Sequence, residues 1–538
     1  MSIETDKNNL HNQLKIKTMT TKTKFPIGLM LILSLILFSS CNTNVKRIIE
    51  RADNASFIIY TFDELGRATS GASGFFIDAN GTGITNFHVL NNATHATIRT
   101  ANGREYMIDA VIASDINKDI AKFSIRHNGE RFSFLRFSRR QIERGDVVYN
   151  ISSPFGHRNS FFSGVVSAIR TEGLYGKEVQ FTSNLTSGSS GSPLLDRRGN
   201  VFAVYTGSVA NSLCFGTMIN QEVINNLNEH DFARHNPQFN AQSNIVILNR
   251  FAEHSATLML NAIEFGEDTT TLHFSSTNLS LRNETTRLWA RLNEKEDGFT
   301  LVNLDTNTNY YIISSSVGTD GANATEVQQA ETYTFTVYLP AMSNDVSRIS
   351  IYGTGKNHTA WRFTNIDLDK YRRTPNIGAE TQYRDWALGH LSNNNYRLLH
   401  RLLTHLLEIN PTNLFALNTL GILSYMLEND ERAVYYFSRA IEANPTAILA
   451  YHNRFGIFEE NGFFLEAIDD VTQLINLSVS DRERLRYLLY RIELYEALED
   501  WENFFVDIDT AYQLADDNIR LREILQEWRE RVMSENDI

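Results

Sequence analysis

Cysteine is almost missing from this chain: 538 residues include two, Cys41 and Cys214. That count excludes a disulfide framework. An excess of positive charge is missing too. The formal net charge is −13, which argues against a nucleic-acid partner, because phosphate binding needs clustered Lys and Arg. Long apolar runs are scarce. Phe25 to Phe38 is a largely apolar run of about 14 residues, too short for a comfortable membrane span. What is present is enough apolar material, 42% of residues, to bury real cores in a chain long enough for several domains.

One stretch organises the rest. Gly188-Ser189-Ser190-Gly191-Ser192-Pro193-Leu194-Leu195 is rich in small residues and runs through Gly199-Asn200 into the strand-like Val201 to Tyr205. Glycine carries no Cβ penalty, so glycines on both sides of a serine permit a tight turn. Such a turn can aim two backbone N–H groups at one point, as an oxyanion hole requires. Ser190 then stands beside that hole as a nucleophile. The same stretch also reads as an ordinary Gly/Ser loop before a strand.

A serine hydroxyl is a weak nucleophile without a base. Upstream, His88 follows the strand-like run Gly83-Ile84-Thr85-Asn86, and Asp119 opens the run Ile120 to Ile125. His88 also reads as a surface-loop histidine. Asp115 competes with Asp119 for the acid's role.

The order His88, Asp119, Ser190 is that of the chymotrypsin-like triad. The surrounding words resemble the HtrA/Deg serine proteases. They are Gly74-Phe75-Phe76-Ile77-Asp78 with Thr85-Asn86-Phe87-His88-Val89, then Asp119-Ile120-Ala121, then Pro154-Phe155-Gly156 with Ser163 to Ser167, and last Gly188 to Leu194. Together they cover about residues 50–225, and four ordered matches are far more specific than one. The resemblance implies two packed β-barrels, His88 and Asp119 from the first and Ser190 from the second. It implies oxyanion donors at the backbone N–H groups of Gly188 and Ser190, and no cofactor or metal. It places the primary specificity pocket at Leu213, Cys214 and Phe215. No Asp stands there to favour Lys or Arg, so a small or medium apolar side chain is expected. Ser189 and Ser192 stand where the family usually has Asn and Gly. No segment reads as the PDZ domain that many relatives carry. Relatives often form trimers, which leaves a homo-oligomer among the expected assemblies.

Residues 1–41 read as a targeting segment. Lys22 and Lys24 precede the apolar run, and Phe38-Ser39-Ser40-Cys41 follows it, which resembles a bacterial lipoprotein signal with Cys41 lipidated. An uncleaved anchor, or cleavage elsewhere, is the alternative. On the first reading the protein sits in the cell envelope, lipid-anchored and facing the periplasm or the exterior. Cys214 is then a lone thiol, read as a buried apolar residue.

Residues 42–54 read as a polar tether with a little helical character, and 42–235 as the protease unit. Asn80-Gly81, Asn102-Gly103 and Gly199-Asn200 mark hairpins within it. Gln221 to Asn228 reads as a closing helix before a linker. Residues 242–370 carry seven or eight strand-like runs, such as Leu258 to Phe265 and Tyr333 to Leu339, which fit an immunoglobulin-like β-sandwich acting as spacer or binding module. Asp305-Thr306-Asn307-Thr308-Asn309 reads as a polar turn in preference to an incomplete calcium loop. From Tyr383 the period is helical. Asn410-Pro411 recurs 34 residues on as Asn444-Pro445, the tetratricopeptide period. Leu417, Leu420, Gly421, Ala433, Phe437 and Ala440 fall on core positions of that unit, and about four repeats are expected over 378–535. Phe455, Phe458, Phe463, Phe464 and Trp501 are expected in the inter-helix core, and Arg520 to Ile538 as a capping helix.

The leading expectation is therefore a membrane-tethered serine endopeptidase acting on protein or peptide, with the repeats recruiting a protein partner. The alternative is a catalytically inactive protease-like scaffold, which the intact triad words argue against. Deletion from about residue 375 is expected to leave the catalytic apparatus intact.

Overall fold

The strand–turn pattern of the first half closes into two barrels. The computed structural model describes residues 45–153, 160–173, 176–209, 213–241, 243–253, 255–281, 286–290, 292, 298–319, 323–353, 361–478, 481–515 and 518–535. Cys41 and Pro154-Phe155-Gly156 lie outside the described residues. Strands β1 (Ser56–Phe62), β2 (Ala68–Phe76), β3 (Gly83–Thr85), β4 (His95–Thr100), β5 (Glu105–Asp115) and β6 (Ile120–Ile125) form a closed barrel in the order β1-β2-β3-β6-β5-β4. Strands β7 (Val147–Ser152), β8 (Ser160–Gly173), β9 (Gly176–Thr182), β10 (Pro193–Leu195), β11 (Val201–Val209) and β12 (Leu213–Met218) close a second, ordered β10-β11-β12-β9-β8-β7. The Asn-Gly pairs fall where expected, between β2 and β3 and between β4 and β5, and Gly199-Asn200 lies between β10 and β11.

The supposed tether is a helix, α1 (residues 45–55). Ile48, Ala52 and Ala55 are buried in the seam between the barrels, with Leu135, Val201 and Leu227. Their spacing of four and three puts them on one helical face. Three small or medium apolar residues suffice to dock a stretch that otherwise reads polar. The histidine-bearing turn is helix α2 (Phe87–Asn91). The closing helix α3 (Gln221–Asn225) is shorter than expected, and α4 (Asp231–His235) occupies part of the presumed linker. Phe232 of α4 packs edge-on against Phe87 at 5.5 Å. Asn236 Nδ2 donates to the carbonyls of Leu90 and Ala93, at 3.1 and 2.8 Å. These contacts tie α4 and the residue after it to the helix that carries His88.

The middle region is β-rich. Ile245–Phe251, Leu258–Phe265, Thr269–Thr277, Thr332–Pro340 and Ser314–Ser315 form a five-stranded sheet. Thr308–Tyr311, Thr300–Asn303, Arg348–Tyr352 and Arg362–Asp367 form a four-stranded one. The two share a core in which the Phe274 ring meets those of Phe299, Phe335, Trp361 and Phe363. Asp305 sits in a polar turn, its Oδ2 accepting from the backbone N–H groups of Ser347 and Arg348. Among the described residues no three His, Cys, Asp or Glu side chains cluster to hold a metal.

After α5 (Leu368–Arg373) come four antiparallel helix pairs and a last helix. They are α6 (Ala379–Ser392) with α7 (Tyr396–Ile409), α8 (Leu414–Met426) with α9 (Asp430–Ala443), α10 (Ile448–Glu460) with α11 (Phe464–Leu477), and α12 (Asp481–Ala497) with α13 (Trp501–Leu514). The last is α14 (Ile519–Glu535). Asn395, Asn413, Asn429 and Asp500 cap their helices by accepting from a backbone N–H three residues on, a satisfied N-terminal donor each time. Gly421 must be small, since a Cβ there would lie 2.6 Å from the Phe437 ring. Phe455 is fully buried, but Phe463 is 55% exposed. It occupies the N-cap position of α11, outside the helix face that packs.

The helical region is not a detached arm. Along β1, Phe57 and Ile59 face the barrel core while Ile58, Tyr60 and Phe62 face α6 and its neighbours. Tyr60 and Tyr383 rings meet edge-on at 6.3 Å. Ala68 N–H donates to Asp385 Oδ2 at 2.9 Å. A Cβ at Gly71 would lie 2.9 Å from the Trp386 ring. The middle region is fastened as well, because Asn453 of α10 donates to the Leu279 carbonyl at 3.2 Å and accepts from Leu281 N–H at 3.3 Å.

Candidate active site

Strand β3 ends at Thr85, and α2 starts at once, so His88 emerges at the barrel rim with its side chain half exposed. Asp119 follows a 3-10 turn, Ile116–Lys118, and adopts a left-handed conformation, φ 54° and ψ 45°. Asp tolerates that region better than most residues. The pose turns its carboxylate back onto α2. Oδ1 accepts from the His88 backbone N–H at 2.9 Å, and Oδ2 meets His88 Nδ1 at 2.8 Å. Asn86 Nδ2 donates to the Asp119 carbonyl at 2.9 Å. The Asp119 side chain is 4% exposed. A carboxylate can only accept, so the proton sits on Nδ1 and the Nε2 lone pair is left outward. Asp115, the competitor, instead caps the 3-10 turn, accepting from Lys118 N–H at 3.1 Å and pairing with the Lys118 ammonium.

Ser190 is held by contacts that link the two barrels. Gly191 N–H donates to the Tyr205 carbonyl and Tyr205 N–H to the Ser192 carbonyl, at 3.0 and 2.9 Å. Buried Asn150 of β7 donates to Ser192 Oγ at 2.8 Å and to the Pro193 carbonyl at 3.0 Å. The first barrel reaches across through Ser73 of β2. Its N–H donates to the Ser190 carbonyl at 2.9 Å, and its Oγ donates to the Gly188 carbonyl at 2.8 Å. Its Oγ also accepts from Ser153 N–H at 3.1 Å, and its own carbonyl accepts from Thr85 Oγ1 at 2.9 Å. A Cβ on Gly191 would lie 2.2 Å from both the Ser73 carbonyl and Thr85 Oγ1. Only glycine lets the serine loop approach the strand that leads to His88.

Gly188 takes φ 90°. Among the described residues, the backbone N–H groups of Gly188 and Ser190 have no hydrogen-bond partner, and none joins Ser190 Oγ to His88. Strand alternation on β12 turns Cys214 into the second barrel's core, while Leu213 and Phe215 stay half-buried on the other face. Burial pushes the Cys214 thiol above its ordinary pKa. Its Sγ donates to the Ser183 carbonyl at 3.3 Å. Ser73, Asn150 and Tyr205 went unread in the sequence. The one signal was polar Ser73 two residues before the apolar run Phe75-Phe76-Ile77.

Residues 72–204 match the trypsin-like peptidase domain. The match takes in the whole grip on His88 and the Ser190 loop. Among curated proteins, the periplasmic serine endoprotease DegP of Escherichia coli K12 is 29% identical over 164 residues, which are 29% of this chain and 34% of that protein. The periplasmic pH-dependent serine endoprotease DegQ of the same strain is 33% identical over 144 residues, 26% of this chain and 31% of DegQ. The anti-sigma-I factor RsgI9 of Acetivibrio thermocellus is 24% identical over 161 residues, 30% of this chain and 22% of RsgI9. The aligned part thus spans between 22% and 34% of these relatives. The middle and helical regions lie outside residues 72–204. Among the described residues no helix is long and apolar enough to cross a membrane.

Proposed function

We propose that the chain is a lipid-anchored serine endopeptidase of the cell envelope, with Ser190 as nucleophile, His88 as base and Asp119 as orienting acid. The observation that carries this reading is the two-point hold of Asp119 on His88. Ser190 Oγ attacks the peptide carbonyl carbon as its proton passes to His88 Nε2. The oxyanion accepts from the otherwise unpartnered N–H groups of Gly188 and Ser190. His88 then gives the proton to the leaving amine, and water hydrolyses the acyl-enzyme by the same route. Leu213 and Phe215 offer apolar surface to the substrate side chain.

The remaining parts extend this reading. Cys41 carries the lipid, residues 42–235 form the protease unit, 242–370 an immunoglobulin-like sandwich, and 378–535 a tetratricopeptide array that binds a protein partner. The array's period of 34 residues between Pro411 and Pro445 supports the last assignment.

A second reading, an inactive scaffold, draws on the missing Ser190–His88 hydrogen bond. Such bonds are often long in substrate-free enzymes and tighten on binding. A fluorophosphonate probe decides between the two. The protein should label and Ser190→Ala should not, with turnover falling by about 10⁴–10⁶. Failure of the unmutated protein to label would favour the scaffold.

A further inference from the structure

The acidic chain carries one strongly basic concavity that the catalytic reading does not use. It lies between the barrels, about 1470 Å³, and its wall is largely the connection from β6 to β7. That connection contains Arg136, Arg139, Arg140 and Arg144 against a single acid, Glu143, within nine residues. Lys177 and Arg198 line the same concavity from the second barrel. Arg140 is paired with Asp146 at 2.6 Å. Among the described residues, Arg136, Arg139, Arg144, Lys177 and Arg198 form no ion pair through their side chains. Arg136, Arg139 and Arg144 are exposed. The acids in the lining do little to balance them. Asp196 is buried and occupied, accepting from Ser138 Oγ and from the N–H groups of Arg198 and Asn200. Glu143 and Glu222 remain.

Helix α1 fixes where this face sits on the molecule. Arg51 donates to the carbonyls of Arg198 and Gly199, and a Cβ on Gly199 would lie 3.0 Å from Ile48. The start of α1 therefore lies beside the Arg197-Arg198-Gly199 turn at the edge of the concavity. Lys46 and Arg47, one turn earlier, are exposed and add to the same charge. From Cys41 to residue 45 the chain can span at most about 14 Å, at 3.3–3.6 Å per residue. A lipid on Cys41 would thus hold this face within one or two Debye lengths of the bilayer.

We propose that the basic face between the barrels docks on the anionic headgroups of the membrane, a second and electrostatic attachment beside the lipid anchor. The membrane is favoured over an acidic peptide because the N-terminal helix brings the anchor to this face. A basic surface beside a lipid anchor adds an electrostatic attraction to anionic headgroups that grows with each Lys or Arg near the surface. The proposal rests on the lipid-anchor reading for that proximity, and the test separates the two.

The chain from residue 41 with Cys41→Ser keeps every residue of the described fold and carries no acyl group. It is sedimented with neutral phosphatidylcholine vesicles and with vesicles containing about one-third phosphatidylglycerol. Binding to the anionic vesicles should be at least about tenfold tighter and should fade as salt rises from about 0.05 to 0.5 M. The triple variant Arg136→Glu, Arg139→Glu, Arg144→Glu should bind both vesicles equally. The corresponding triple Lys variant should keep the preference, and unchanged melting temperatures show that both variants are folded. Equal binding by the unmutated face, or a Glu variant that still prefers anionic vesicles, would overturn the proposal. So would a poly-glutamate peptide that displaces the vesicles at lower concentration, since the face would then be a peptide groove. Mass spectrometry of the native N-terminus reads the anchor separately. A lipidated Cys41 without vesicle preference removes the face alone, and vesicle preference with an unmodified N-terminus removes the anchor alone.

Discussion

Ser73 touches no substrate in the proposed reaction, yet four hydrogen bonds meet on it, two of them to the loop that carries Ser190. Ser73→Ala would release the Gly188 carbonyl and remove the hydroxyl to which Ser153 N–H donates. In the proposed reaction the N–H groups of Gly188 and Ser190 flank the 188–189 peptide that carries this carbonyl, so a rotation of that peptide should re-aim them and be read in the chemical step. We expect kcat to fall by about 10–100-fold with little change in KM, and Ser73→Thr to restore part of the loss. Fluorophosphonate labelling rates alongside melting curves check this. A lower melting temperature with an unchanged labelling rate would mean that Ser73 only supports the barrel. His88, Asp119 and Ser190 each stand in a local motif of the sequence, and the structure brings the first two into contact. The choice of Asp119 over Asp115 has its physical ground in the left-handed turn, which aims one carboxylate at α2 and leaves the other capping. Ser73 was not legible, because its role exists only where two barrels meet.

Hairpins at Asn-Gly, alternating strands and the helical character of the last third were all legible at the scale of elements, since each is a local pattern. Helix α1 was not, because its three apolar contacts are a small part of its composition. The start of α6 shows a device that no local pattern could reveal. Gly378 has no side chain to cap the helix, and the Glu105 carboxylate from β5 accepts from Ala379 N–H instead, at 3.3 Å. Burial raises the Glu105 pKa above its ordinary 4.5, against the lowering effect of that hydrogen bond and of Arg99. The native state therefore holds this proton more tightly than the unfolded chain. The associated stability is fully present below about pH 4.3 and is lost as pH rises through the native value. Glu105→Gln keeps a carbonyl acceptor and removes the titration. Denaturation midpoints of the two proteins should diverge in that direction as pH rises from about 4 to 8. A pH-independent difference would show that Glu105 is not the group responsible.

At the scale of the whole molecule, the expectation that the protease unit stands without the helices meets a contrary geometry. Ile58, Tyr60 and Phe62 are 2%, 0% and 0% exposed, and the helical region covers them. Removing everything after about residue 375 would bare all three. Each is worth about 1.5–3 kcal/mol when fully buried, so the loss is comparable to the whole stability of an ordinary domain. We expect the truncated chain to melt well below the full one or to aggregate, and to lose labelling together with its fold. Differential scanning calorimetry with parallel labelling tests this. A truncation that melts normally and labels fully would show that β1 needs no cover. The signal was in the sequence all along, as the unbroken apolar run Phe57-Ile58-Ile59-Tyr60 in β1. A strand with one wet face alternates, and this one does not.

That cover also has a schedule. The Ala68–Asp385 contact joins residues 317 apart in the chain. At synthesis rates of about 5–20 residues per second, α6 is made roughly 15–60 s after the strand it lies against. For that interval the young protein presents an unclosed greasy edge to whatever surrounds it. The first barrel is therefore complete in sequence long before it is complete in solvent, and it reaches its native surroundings only when the last third of the chain arrives.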